Sequence, residues 1–263
     1  MFPRLLPTVN QITACRSTIG RWLTGLERLC LPPTCALCGA AGRVDRVGRA
    51  LDLCIDCDRE LPACRGPLER RPTSGAAPWS LVVAPYRYDY PVDHCVRALK
   101  FHGDAACGRL LGMLIARERA AHAVPLPDVV VPVPLHRARY LERGFNQAAV
   151  IGGHAARSLG LPLAAGALER CRPTAEQSHL RGAARAGNVA GAFRASARAR
   201  LAGLRLALVD DVLTTGSTAR EATRALLAAG AAGVELWVAA RALPPRSAAE
   251  GVVEQDAEED RHA

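Results

Sequence analysis

Residues 206–218, read as Leu-Ala-Leu-Val-Asp-Asp-Val-Leu-Thr-Thr-Gly-Ser-Thr, constrain the fold more than any other stretch of the chain. The apolar run from Leu204 to Val209 is the length of a strand buried on both faces, which is the mark of a parallel sheet. It turns abruptly into two acids and then into a loop of small hydroxyl residues around Gly216. After Thr218 the apolar residues Ala219, Ala222, Leu226 and Leu227 recur at helical spacing, and Gly230 supplies a stop. Val234 to Ala240 is a returning strand. Strand, loop, helix and strand in that order predict a βαβ unit and an α/β fold.

The chemistry follows from this order. A helix beginning near Ser217 turns unpaired backbone N–H groups and a positive dipole end toward the loop. Thr214, Thr215, Ser217 and Thr218 add hydroxyls, and Gly216 allows close backbone approach, so the loop is suited to a phosphate monoester. Asp210 and Asp211, at the carboxyl end of the strand, lie where open α/β sheets bind ligands. Two carboxylates would repel the phosphate unless they face something else, and vicinal ribose hydroxyls or a magnesium ion fit that role.

A second, independent signal lies near the amino end. Cys35, Cys38, Cys54 and Cys57 form two C-x2-C pairs separated by fifteen residues. Each pair presents two thiolates to one ion, so the spacing predicts a tetrahedral structural zinc site. A segment this short cannot bury a core of its own, and metal binding would supply its folding energy. Cys30 and Cys64 flank the module and either replace a ligand, bind a second ion or, the favoured reading, take no part; Cys95, Cys107 and Cys171 read as small buried hydrophobes.

At 263 residues the chain accommodates one α/β domain and a small module. The expected boundaries are an amino-terminal extension with a short helix over 1–27, a zinc-ribbon-like module over 28–65 and a linker over 66–78. The main domain then covers 79–243, and an acidic tail, read as disordered, covers 244–263. A formal charge of +9 invites a nucleic-acid reading, but the single lysine, Lys100, stands against 33 arginines spread along the whole chain. The charge is therefore weak evidence for nucleic acid and equally suits a pyrophosphate binder. No apolar run of about 18 residues and no clean signal-peptide core are found, so the protein is read as cytoplasmic, without a transmembrane segment.

Between the two ends, Leu81 to Tyr90 reads as a strand, with Tyr86, Tyr88 and Tyr90 alternating onto one face. Such a stripe either packs a sheet or stacks bases of a single strand. A helix through Val92, Val96 and Leu99 ends near Gly103, and a second runs from Cys107 to about Ala121. Lys100 either contacts a pyrophosphate or settles the helix end. Val129 to Pro134 reads as another buried strand. It leads into a basic loop holding His136, Arg137 and Arg139, and then into a helix from about Asn146 to Leu159. Pro134, His136 and Arg137 lie at the same sheet edge as Asp210 and gain weight as anion contacts. Residues 171–193, with Arg172, Thr174, Gln177, Ser178, Arg181, Arg185 and Asn188, are polar and read as a lid closing over substrate.

Taken together, the four-cysteine module, Lys100-Phe101, Pro132-Val-Pro134, Arg143-Gly-Phe-Asn-Gln147, the stretch Gln177 to Asn188 and the Asp-Asp loop resemble the ComF/GntX family. The resemblance covers roughly residues 28 to 242. It implies a type I phosphoribosyltransferase-like parallel sheet flanked by helices and preceded by a zinc module. It also implies binding of phosphoribosyl pyrophosphate (PRPP) with magnesium, a link to natural competence and the DNA-uptake machinery, and contact with single-stranded DNA. The implied PRPP contacts fall on Asp210, Asp211 and Thr214 to Thr218, with the Pro132–His136 edge as pyrophosphate loop. Lys100, Arg137 and Arg181 are the expected catalytic cations. In several purine-salvage relatives an acid stands where this chain has Thr214, which leaves the general base and the acceptor unassigned. The reading is therefore phosphoribosyl transfer to an unknown acceptor; the alternative is a PRPP sensor that works on single-stranded DNA without turnover.

Overall fold

The computed structural model describes residues 33–44, 50–64, 78–172 and 191–243. The amino-terminal extension, nearly all of the 66–78 linker, the greater part of the expected lid, including Arg181, and the acidic tail lie outside these residues. The chain divides into two compact units, Met1–Asp58 and Arg59–Ala263.

In the first unit, β1 (Arg43–Val44) and β2 (Ala50–Leu51) pair antiparallel, and the short helix α1 (Ile55–Arg59) follows. Gly39, at φ 74°, turns the chain directly after the first cysteine pair, and its N–H donates to the Cys35 carbonyl at 2.9 Å. A residue with a Cβ adopts that conformation only at a cost. Leu53 is fully buried, and Arg43 is ion-paired to Asp58.

The second unit is built on a parallel sheet of β3 (Leu81–Val83), β4 (Tyr86–Arg87), β5 (Val129–Pro132), β8 (Arg205–Leu213) and β9 (Gly233–Arg241). Its order is β3-β9-β8-β5, with β4 also on β9. In β8, Leu206 stands between Val129 and Val234, and Val209 between Pro132 and Trp237. Both edges of β8 are therefore paired, and both faces are covered. Leu206 and Leu208 face a core with Ala219, Ala222 and Leu226 of α6 (Ser217–Ala228). Leu168 and Phe193 join that core from an antiparallel pair, β6 (Leu168–Arg170) and β7 (Phe193–Ala195). Val209 faces the other way, toward Gly152 of α5 (Gln147–Leu159).

Three helices cover that second face: α2 (Val92–His102), α3 (Ala105–Ala120) and α5. A Cβ on Gly112 of α3 would come within 2.4 Å of the Ile151 carbonyl oxygen of α5, so glycine is what lets these helices cross closely. Arg119, fully buried at the end of α3, donates to Glu235 of β9 through Nε (2.7 Å) and Nη2 (2.9 Å). It also donates to the carbonyls of Val124 and Pro125, and Glu235 accepts from the indole N–H of Trp237 at 2.8 Å.

Two local expectations are revised. The basic segment after β5 is not all loop: Arg137–Arg143 forms helix α4, begun by His136 and closed by Gly144 at φ 79°. The tyrosines do not form one stacking stripe. Pro85 has no N–H for the ladder, so the strand divides into β3 and β4. Tyr86 is buried with its hydroxyl accepting from Arg117 at 2.7 Å, whereas Tyr90 is 78% exposed.

Replacing Arg119 by Met should leave Glu235 with its indole partner alone and lower unfolding stability by about 3–5 kcal/mol, the usual cost of removing one member of a buried pair. Urea denaturation of the purified variant measures this directly.

Candidate functional site

The site begins at the carboxyl end of β8. Asp210 and Asp211 are both half-buried there. The Asp211 N–H donates to Asp210 Oδ1 at 3.0 Å, and the Val212 N–H to Asp211 Oδ1 at 2.7 Å. Desolvation at the sheet end, and then the charge of Asp211, hold the Asp210 carboxyl well above the usual carboxylate range. The Asp211 N–H and the Arg170 guanidinium oppose this shift. The pair is thus arranged to gain from a cation or from hydroxyl donors.

Beyond the acids the chain turns at Gly216, at φ 74°, into the first turn of α6. No side chain caps this helix. Its leading N–H groups therefore face the loop without intrahelical partners, beside the hydroxyls of Thr214, Ser217 and Thr218. A Cβ on Gly216 would stand 3.4 Å from both Leu213 and Trp79. Thr215 is exposed, and its hydroxyl lies 3.0 Å from that of Ser217.

The motif Arg143-Gly-Phe-Asn-Gln147 acquires a physical role. Asn146 caps α5 by accepting from the Ala148 N–H at 3.0 Å, and its amide donates to the Val133 carbonyl at 3.0 Å. Gln147 donates to Asp211 Oδ2 at 3.4 Å while accepting from Arg143 Nη1 at 2.6 Å. One helix start thus braces both the loop after β5 and the acid pair near the carboxyl end of β8.

These parts line a single cleft of about 500 Å³. Of the residues expected at the site, Lys100, Pro134, His136, Asp210, Asp211, Thr214, Gly216, Ser217 and Thr218 line it. Arg137 and Thr215 are exposed and do not line it, and Arg181 is outside the described residues. His136 accepts from the Ala138 N–H through Nδ1 at 3.3 Å, so it shapes the start of α4. The cleft also receives Arg139, from the basic loop expected at this edge, and Tyr88, Arg97 and Arg170, which sequence reasoning did not place at the ligand. Arg170 ends β6, where its guanidinium lies 5.4 Å from the Phe193 ring and burial lowers its pKa. The signal for Arg170 was slight. Alternation puts it on the same face as Leu168, but in a strand of three residues.

In the first unit, the Sγ atoms of Cys35, Cys38, Cys54 and Cys57 all lie within 4.8 Å of one another. Cys38 Sγ and Cys54 Sγ are 3.7 Å apart, close to the roughly 3.8 Å edge of a tetrahedron with metal–sulfur bonds of about 2.3 Å. Burial raises the Cys35 thiol, but backbone N–H groups of Cys54, Cys38 and Leu37 outweigh it and bring the pKa to about 6. Hydrogen bonding to Cys54 and Cys38 pushes Cys57 up instead. Four thiols this close cannot all ionise without a cation among them, and the donor set fits a tetrahedral metal ion.

Residues 146–256 match the phosphoribosyl transferase domain family. The DNA utilization protein YhgH of Salmonella typhi is 36% identical over 219 residues, covering 80% of this chain and 90% of that protein. Competence protein F of Haemophilus influenzae is 30% identical over 203 residues, covering 74% and 86%. Among solved structures, glutamine PRPP amidotransferase from B. subtilis, complexed with ADP and GMP, is 26% identical with a TM-score of 0.35; the match takes in 50% of this chain, which spans 26% of that enzyme. On the strength of the first two relatives, the chain belongs to the ComF family of phosphoribosyltransferase-like proteins.

Proposed function

We propose that the cleft binds PRPP with magnesium and transfers its phosphoribosyl group to an acceptor. The observation that carries this reading is the joining, in one cleft, of a carboxylate pair, an uncapped helix start ringed by hydroxyls, and several guanidinium groups. The 5-phosphate accepts from the first-turn N–H groups of α6 and the hydroxyls of Thr214, Ser217 and Thr218. The ribose hydroxyls donate to Asp210 and Asp211. The pyrophosphate faces the Pro134–His136 turn, and Arg139 supplies positive charge there in place of the exposed Arg137. Magnesium, when bound, offsets charge on the leaving pyrophosphate. The chain's own part is to hold the ribose and to place cations where negative charge develops. Arg181 belongs to this set as a cation brought by the segment between β6 and β7.

Calorimetry should show that Asp210→Asn combined with Asp211→Asn removes PRPP binding; unchanged affinity would refute the site. The pH dependence has a definite sign. Asp210 ionises late, so wild-type PRPP affinity should rise as pH climbs through its raised range, and Asp210→Asn alone should flatten that rise. Stability moves oppositely. Because the folded pKa is raised, stability is lost as pH rises from the ordinary carboxylate range up to that of Asp210. Asp210→Asn should therefore melt about 2–4 °C higher at neutral pH, the shift that roughly 1 kcal/mol produces in a domain of this size.

The metal of the four-thiol cluster is proposed to be zinc, holding the first unit folded. Elemental analysis should find one zinc per chain, and Cys38→Ser should lose it. Zinc retained by Cys38→Ser would remove that thiol from the ligand set.

The names of the relatives favour a second reading, in which the protein senses PRPP and acts on single-stranded DNA in uptake or utilisation. It requires oligonucleotide binding that weakens steeply with salt and no release of pyrophosphate from PRPP.

A further inference from the structure

The cleft has two unlike sides. The strand order puts β5, with the Pro134–His136 turn, beyond β8 on one side, and β9 with β4 on the other. The phosphate loop lies between them, at the end of β8. On the β9 side the lining includes the residue after β4, Tyr88, and the α2 residues Arg97, Lys100 and Phe101. Tyr88 is within electrostatic reach of both Arg97 and Asp211, so this side adjoins the ribose-holding acids.

These four residues are of two kinds. Phe101 is 64% exposed and lines the cleft, so its ring is open to a bound molecule. Arg97 and Lys100 stand one helical turn apart and put two positive charges beside the rings. The ion pair of Arg97 is a loose one, 4.0 Å from Asp93, and Lys100 lies 5.2 Å from the centroid of the Phe101 ring. Neither cation is held in a tight carboxylate pair among the described residues. Together the four offer flat apolar surface edged by uncommitted positive charge, next to where the reacting carbon of a bound ribose would sit.

We propose that the β9 side of the cleft is the acceptor site and takes a planar aromatic molecule carrying a negative charge, its ring against Phe101 and Tyr88 and its anionic group on Arg97 and Lys100. This rests on the PRPP reading above. It gives Lys100 a role in acceptor binding instead of pyrophosphate contact. For a pyridine-type acceptor the step balances without a base. The ring-nitrogen lone pair forms the bond to ribose C1, the C1–O bond to pyrophosphate breaks, and the electron pair leaves on pyrophosphate. No proton moves.

Pyridine-3-carboxylate and pyridine-3-carboxamide share a ring and differ in charge, and ribose 5-phosphate can occupy the phosphate loop without reacting. Equilibrium dialysis of each pyridine against the full chain saturated with ribose 5-phosphate should show the carboxylate binding about 10-fold tighter, the scale of one charge-assisted contact. In Arg97→Ala combined with Lys100→Ala that preference should fall to within about two-fold, with ribose 5-phosphate affinity unchanged. Phe101→Ala should weaken both pyridines together. Equal binding by the wild type, no binding of either up to about ten millimolar, or a preference that survives the double substitution would each overturn the proposal. Failure of ribose 5-phosphate itself to bind would instead remove the PRPP reading, and the acceptor site with it.

Discussion

Everything in the larger unit depends on β8 being paired along both edges and covered on both faces. A strand in that position has no freedom to slide, because a shift of one residue would exchange its two buried faces. The residues where its pairing with β5 stops are therefore delivered to one place, and those residues are the two carboxylates. The sheet gains nothing from them. They sit where burial and the charge of Asp211 raise the cost of ionising Asp210, an arrangement that persists because the surrounding sheet holds them there. Strain of this electrostatic kind is relieved by hydroxyl donors or a cation, and the site is poised to accept them.

The same logic of enforced closeness operates in the small unit, with a different chemistry. There the core is too small to hold the chain, and four thiols are gathered by tight turns and by backbone N–H groups that favour the thiolate form at Cys35. In the large unit burial holds the turns in place, and the charged groups are fitted around them. In the small unit two of the thiols, Cys35 and Cys54, are themselves among the few buried residues, with Leu51 and Leu53. Arg119 and Glu235 are an intermediate case: a buried pair made tolerable by two carbonyls and an indole.

Much of this was legible in the residues because the strongest signals are local. The run from Leu204 to Thr218 predicts its own strand, loop and helix in the right order; the helix starts at Ser217 as expected, whereas β8 continues past Val209 through the two acids to Leu213. The paired C-x2-C spacing likewise predicts a cluster that the structure brings together. What could not be read depends on contacts between distant parts of the chain. Arg170 is an unremarkable residue in a three-residue strand until its position near Asp210 is known. Tyr88 and Tyr86 share a sequence parity, yet one faces the cleft and the other packs under α3. Helix α4 escaped notice because its residues carry no apolar periodicity; it is held by a histidine at one end and a glycine at the other.

The start of α5 has one more implication. Asn146 grips the turn that follows β5, and its neighbour Gln147 grips an acid near the end of β8, so two stretches of chain far apart in sequence share one anchor. Neither can be displaced without tugging on the other. Both halves of the cleft are thereby referenced to one helix start, which fixes their spacing from a single pair of neighbouring residues.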